Sequence, residues 1–293
     1  MKSRPLTAVV TLGCLLLVGC GGAASSSAPP AAAPAPPSAG VRFTKKLPVV
    51  GSVSLVRERN ETRMAMDITV DGVATQASED AIETVERRTE VLATGSDGAE
   101  TRVKVTYTAN HKEETGKGVV VSAVEGKTYM VEGRGDKAPS RVTDAAGNPA
   151  SAEEAEVLAH DFKHLGRIDP VWRALPEQPL AAGAPVDAMA KAILDDEADE
   201  GLEKVQLHFE GKRDVAGGPG GVFAVALTGK LLGETPSTIN GKVTLLLANG
   251  WEAESDAQAP VEMSQKGTRN GKTFAVVAHG TVHLHKETSY VAR

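Results

Sequence analysis

The 293-residue sequence sets 32 Lys and Arg against 38 Asp and Glu, for a net charge of −6. No block or stripe of basic residues supplies the counterion-release term that nucleic acid or anionic head groups would need, so neither is an expected partner by bulk electrostatics. Phe, Tyr and Trp make up only 3% of the chain, which points to a core of Val, Leu, Ile, Ala and Met and argues against a deep aromatic-lined ligand cavity.

In chain order, a basic start (Lys2, Arg4) leads into an apolar run from Leu6 to Val18. Those are the two leading regions of a secretory signal, and the run is too short to span a bilayer. It ends in Leu17-Val18-Gly19-Cys20, which resembles the lipobox of bacterial lipoproteins. The resemblance implies removal of residues 1–19, diacylglycerol on the Cys20 sulfur, and a fatty acid such as palmitate on its new amino group. It also implies a cell-membrane anchor through this N-terminal lipid, in the outer membrane if the cell is Gram-negative, since Gly21 rather than Asp follows. The chain's two cysteines are Cys14 and Cys20, so the exported body holds no disulfide and no thiol nucleophile. Residues 20–42 are the acylated Cys and a Pro/Ala/Ser-rich tether, too poor in apolar bulk for a core and biased to extended polyproline II.

The body, residues 43–293, is dominated by period-two patterning. Met64, Met66, Ile68 and Val70 alternate with polar residues up to Gly72, and Val103, Val105 and Tyr107 do the same, each predicting a half-buried strand. Turns are expected at Ser96-Asp97-Gly98, Glu125-Gly126-Lys127, Asn240-Gly241, Asn249-Gly250 and Asn270-Gly271, which together mark an antiparallel meander. Val119 to Val124 is expected to pair with Thr128 to Glu132, and Lys242 to Ala248 with Trp251 to Ser255. A last long strand runs from Thr273 to about Lys286.

Ser151 and Glu154 form a capping box ahead of Leu158, Ala159, Phe162 and Leu165 at helical spacing, with Gly166 as the stop. This predicts a helix over 152–165 with Leu158 and Phe162 buried. A second helix starts near Pro185 and should end by about Leu194, because the acids from Asp195 to Glu200 oppose the dipole at its C-terminus. Phe43…Leu47-Pro48…Gly51…Val53 is similar to Trp172…Leu175-Pro176…Gly183…Val186, and Glu83-Thr84-Val85 to Glu203-Lys204-Val205, which suggests a duplication. The expected fold is mainly β, a β-rich α+β body. Curved antiparallel sheet or sheets carry a central covering helix, and two halves, 43–150 and 167–293, are joined by helix 152–165.

Three clusters invite chemistry. His160 and His164 resemble the paired histidines of the His-Glu-x-x-His zinc metalloproteases, but Asp161 replaces the general base and both rings fall opposite the apolar stripe, so a solvated helix face is the first reading. His279, His283 and His285 share one side of a strand, compatible with weak zinc, copper or nickel binding, with no carboxylates expected to fix their rings. The run from Asp195 fails as a calcium loop, having Glu200 and Gln206 where glycine and glutamate are needed. No nucleophile elbow, phosphate loop or dinucleotide fingerprint occurs, and no catalytic residue or cofactor is assigned. The expected function is a non-enzymatic binding or scaffold module of the cell envelope, whose partner is an envelope protein or an amphiphilic ligand. The alternative is a carrier of lipid or another amphiphile in a cavity between sheet and helix, and a metal-assisted hydrolase ranks last.

Overall fold

The computed structural model describes residues 40–135, 139–197, 201–230, 237–269 and 272–291. The lipobox, Cys20 and the tether up to residue 39 lie outside them, as do Asn270-Gly271 and the last two acids of the 195–200 run, Asp199 and Glu200. The elements in order are β1 (Val53–Val70), β2 (Val73–Thr94), β3 (Glu100–Glu114), β4 (Gly118–Val121), β5 (Thr128–Glu132), β6 (Arg141–Asp144), α1 (Ala152–Asp161), α2 (Pro170–Ala174), α3 (Asp187–Asp196), β7 (Leu202–Val215), β8 (Gly218–Gly229), β9 (Ser237–Leu246), β10 (Glu252–Arg269) and β11 (Lys272–Val291). The molecule is mainly β: one open antiparallel sheet of 11 strands in the order β6-β5-β3-β2-β1-β11-β10-β9-β8-β7, with β4 also on β3. None of the described helices is long and apolar enough to cross a membrane.

The alternating stretches read from sequence are parts of far longer strands. All 18 residues of β1 pair with β2 on one side and β11 on the other, without a bulge, so the centre of the sheet is roughly 60 Å long at about 3.3 Å per residue. Arg87 on β2 reaches an acid of α1, which identifies the layer Arg87–Val56–Thr288 as belonging to the face turned toward the helices. Arg88, Leu55 and Ser289, one residue along, belong to the other face.

Two apolar clusters form on the helix side. Leu158 of α1 is fully buried with Val103, Val105, Tyr107, Tyr129 and Val131 of β3 and β5. Met189, Ala190 and Ile193 of α3 pack with Phe209, Phe223 and Leu227 of β7 and β8. The segment ahead of β1 joins this second cluster: Val41 exchanges two 2.8 Å backbone hydrogen bonds with Leu180, and Phe43 sits 5.5 Å from Phe223 and 6.2 Å from Phe209, centroid to centroid. Each half of the sheet thus has its own packed centre, and α1 covers only one of them.

Several expectations are corrected. The capping box is present in full, with Ser151 accepting from the Glu154 N–H and Glu154 from that of Ser151. The helix nevertheless stops at Asp161, four residues early, and Phe162 is half-buried. The chain then turns through Gly166, whose φ of +92° and close approach to the Gly135 amide, 2.3 Å from where a Cβ would stand, admit no side chain. Helix α3 runs on to Asp196 instead of ending at Leu194, because Arg167 holds Asp196 at 3.0 Å and Lys163 holds Glu197 at 2.7 Å, offsetting the adverse dipole. Helix α2 was not anticipated, although Asp169 before Pro170 is a readable start, the aspartate accepting from Val171 and Trp172.

Asn240-Gly241 is no turn. It lies extended within β9, with Gly241 paired to Val225 and Ala257. β4 and β5 are not a hairpin either: both pair with β3, at His111↔Val121 and Thr106↔Thr128. They are two pieces of one interrupted strand, and the excursion between them buries Val124. The two halves enter the sheet in opposite order, outward from β1 to β6 and then inward from β7 to β11. Glu83–Val85 therefore lies near the centre and Glu203–Val205 on an edge, so the matched segments do not occupy equivalent places.

Candidate functional site

Between the two clusters, where β1, β2, β10 and β11 meet the turns after α1, lies a hollow of about 360 Å³. Its floor is Val56 and Thr89 of the sheet; Phe162, Leu165 and Trp172 close it from the helix side, and Trp251 and Tyr290 wall it. Each wall ring is fixed by its polar atom. Trp172 Nε1 donates to the Asn249 carbonyl at 3.0 Å, Trp251 Nε1 to that of Lys46 at 2.7 Å, and the Tyr290 hydroxyl to that of Glu252 at 2.8 Å. The rings of Trp251 and Tyr290 pack 4.7 Å apart. With their polar atoms satisfied by backbone, the rings present carbon to the hollow. Gly250 allows the approach, since a Cβ there would stand 3.1 Å from Trp172 Nε1. Both tryptophans of the sequence and one of its three tyrosines thus line one cavity, contrary to the expectation drawn from a 3% aromatic content.

The opposite side is ionic. Asp161 accepts from the Tyr107 hydroxyl at 2.6 Å and from Arg87 at 2.8 Å, and Arg87 also meets Glu58 at 3.3 Å. Burial pushes the Asp161 carboxyl up in pKa, but Arg87, His160 and Tyr107 outweigh it and hold it at about 2. Burial, reinforced by the Asp161 charge, pushes the Tyr107 phenol far up, so it stays a donor. Glu100 lines the same hollow, and burial pushes its carboxyl up with no compensating partner.

The histidines singled out in the sequence are placed as follows. His160 and His164 are not a helical pair, because α1 ends between them. His160 is half-exposed beside Asp161. His164 joins Asp196 and Glu197 in the one group of three metal-type donors within 4.8 Å of each other among the described residues. That group is already balanced: Arg167 donates to Asp196 and, at 2.7 Å, to His164 Nδ1, while Lys163 holds Glu197. Accepting from Arg167 leaves the His164 proton on Nε2, 3.3 Å from Asp196. Burial pushes its pKa down. The cluster is an ion-pair knot tying the turn after α1 to the end of α3, and a divalent cation would have to displace two cations to enter it.

On β11, Val282 and Leu284 point into the core as alternation predicts, and His283 and His285 lie on the face away from the helices. The expectation that no carboxylate orients them is corrected, because β10 brings Asp256 within 3.0 Å of His283 and 3.1 Å of His285. His279 stands apart and exposed, opposite Ala65 and Glu262. Leu55, Arg57 and Arg88, with Val215, line a second hollow of about 470 Å³. It shares Val56 and Arg87 with the first hollow but has no aromatic lining, so the first hollow is the candidate site.

No family model matches the sequence, and no curated protein matches it. Among solved structures, the chain is similar to a domain described as an outer membrane lipoprotein-sorting protein, from Vibrio parahaemolyticus, at 8% identity over 80% of this chain and 85% of that one, with a TM-score of 0.16. It is likewise similar to a DUF1329 family protein from Desulfovibrio piger, at 12% identity over 80% and 85% of the two chains, also at 0.16.

Proposed function

We propose that this chain is an envelope lipoprotein, acylated at Cys20, whose β-rich body binds an amphiphile in the hollow between sheet and helices. The observation that carries the reading is the hollow's lining. Rings fixed through backbone carbonyls present an apolar wall, while Asp161, Arg87 and Glu100 add polar groups to the same lining, so one ligand with a greasy part and a polar part meets both. At about 360 Å³ the volume lies at the low end of ligand pockets, suited to a small or single-chain amphiphile rather than a whole multi-chain lipid.

Trp172 and Trp251 make intrinsic fluorescence a direct report on this cavity, because the chain has no other tryptophan. The test is a titration of the full mature chain, made Cys20→Ala so that it carries no acyl group, with submicellar decyldimethylamine oxide at pH 8. We expect a saturable, one-to-one change in emission that Thr89→Phe, which fills the floor, abolishes. No change with this probe or its charged analogues overturns the reading.

A further inference from the structure

We infer that the hollow selects an amphiphile bearing a cationic nitrogen, and that Glu100 is the group that receives it. The inference rests on the amphiphile-binding reading and deepens it. Besides the Tyr290 phenol, seven charged or titratable side chains line the hollow: Arg87, Glu100, Asp161, His164, Arg167, Asp169 and Glu252. Six are committed to other groups. Arg87 serves Asp161 and Glu58; Arg167 serves Asp196 and His164; Glu252 takes Lys286 at 3.2 Å and Ser255 at 2.9 Å; Asp169 caps α2. The Glu100 carboxyl makes no hydrogen bond and no ion pair among the described residues.

Glu100 is also held firmly in place. It opens β3 across from Thr94, and its carbonyl accepts the Gly166 N–H at 2.6 Å. Its backbone is therefore fixed at the hollow, and its largely buried carboxyl lacks a cation, which is a costly state for a desolvated acid. A ligand nitrogen in the hollow supplies the missing charge. Trp251 suits the same ligand, since indole rings attract ammonium groups, whereas the Trp172 ring already has Lys45 Nζ 5.9 Å from its centre. A phosphate beside the nitrogen would stand against Glu100 with both lining arginines engaged elsewhere. The geometry thus points to an alkylamine-type head rather than a phosphocholine or phosphoethanolamine head.

The test titrates the same chain with four probes of equal tail length: decyltrimethylammonium, decylphosphocholine, decyldimethylamine oxide and decanoate. At pH 8 we expect the ammonium to bind at least about tenfold tighter than the amine oxide, a difference of about 1.4 kcal/mol, with phosphocholine and decanoate no tighter than the amine oxide. Glu100→Gln should erase the difference between ammonium and amine oxide. Decyltrimethylammonium keeps its charge at every pH, so a fall in its affinity for the unmutated chain on acidification reads protonation on the protein. Protonation of His164 would repel the probe as well, and the fraction of the fall that survives in Glu100→Gln measures that contribution. An ammonium that binds no tighter than the amine oxide overturns the inference and leaves amphiphile binding standing, as does a preference intact in Glu100→Gln. If phosphocholine is the tightest of the four, the head-group assignment is overturned, and if no probe binds, both readings fall.

Discussion

Replacing Asp161 by Asn removes one charge from a buried network while keeping its volume and its acceptor for Tyr107. The side chain is 12% exposed and meets Arg87 at 2.8 Å, so solvent screens the pair little. Its pKa is held at about 2 against an ordinary 3.8, and at about 1.36 kcal/mol per pH unit that gap is worth about 2–3 kcal/mol. A carboxylate whose folded pKa is depressed contributes this stability in full above its unfolded value, and the contribution fades as pH falls from about 4 to about 2. Asp161→Asn should therefore lower the unfolding free energy by about 2–3 kcal/mol at pH 7, and the gap to the unmutated chain should close between pH 4 and pH 2. Urea unfolding followed by far-ultraviolet circular dichroism at pH 7, 4, 3 and 2 measures both. Equal stability at pH 7, or a gap undiminished at pH 2, refutes the reasoning.

Leu158→Ala should cost about 2–5 kcal/mol, since the side chain is fully buried against β3 and β5. Phe162→Ala should cost less than Leu158→Ala, because Phe162 is only half-buried at the edge of the hollow; thermal melts of the two variants rank them, and the reverse order would mean α1 is not seated as described. Cys20→Ala in cells should release the chain from the membrane or leave an uncleaved precursor, because several acyl chains anchor stably where one does not. Mass spectrometry finding an unmodified amino terminus elsewhere in the native protein would remove the anchor from the account.

Local signals were the ones legible in the sequence. The Ser151/Glu154 box placed the start of α1, and alternation put Val282 and Leu284 inside and His283 outside, because both are decided within a few residues of chain. The end of α1 was not legible. Phe162 and Leu165 keep helical spacing, and the break comes from the tight seat of Gly166 against Gly135 and from Lys163 and Arg167 being drawn to α3. Asn240-Gly241 carries a turn signature that two neighbouring strands override by pairing with it on both sides. The hollow was hidden for the same reason: Trp172, Trp251 and Tyr290 come from three separate stretches, and composition alone does not say that scarce aromatics will gather. A trace was readable in Asp169-Pro170, which marks the helix that presents Trp172.

The segment from Val41 to Phe43 has a mechanical consequence. Before the chain reaches β1 it is laced to Leu180 by two backbone hydrogen bonds, and the Phe43 ring is seated among Phe209 and Phe223. Thr44 then bonds the Leu247 carbonyl and Lys46 that of Asn249. A pull from the N-terminal side therefore loads these ties along the β7–β10 half first. Strain relief comes ahead of the central strands, so under such a pull the floor of the hollow stays unloaded until that lacing gives way.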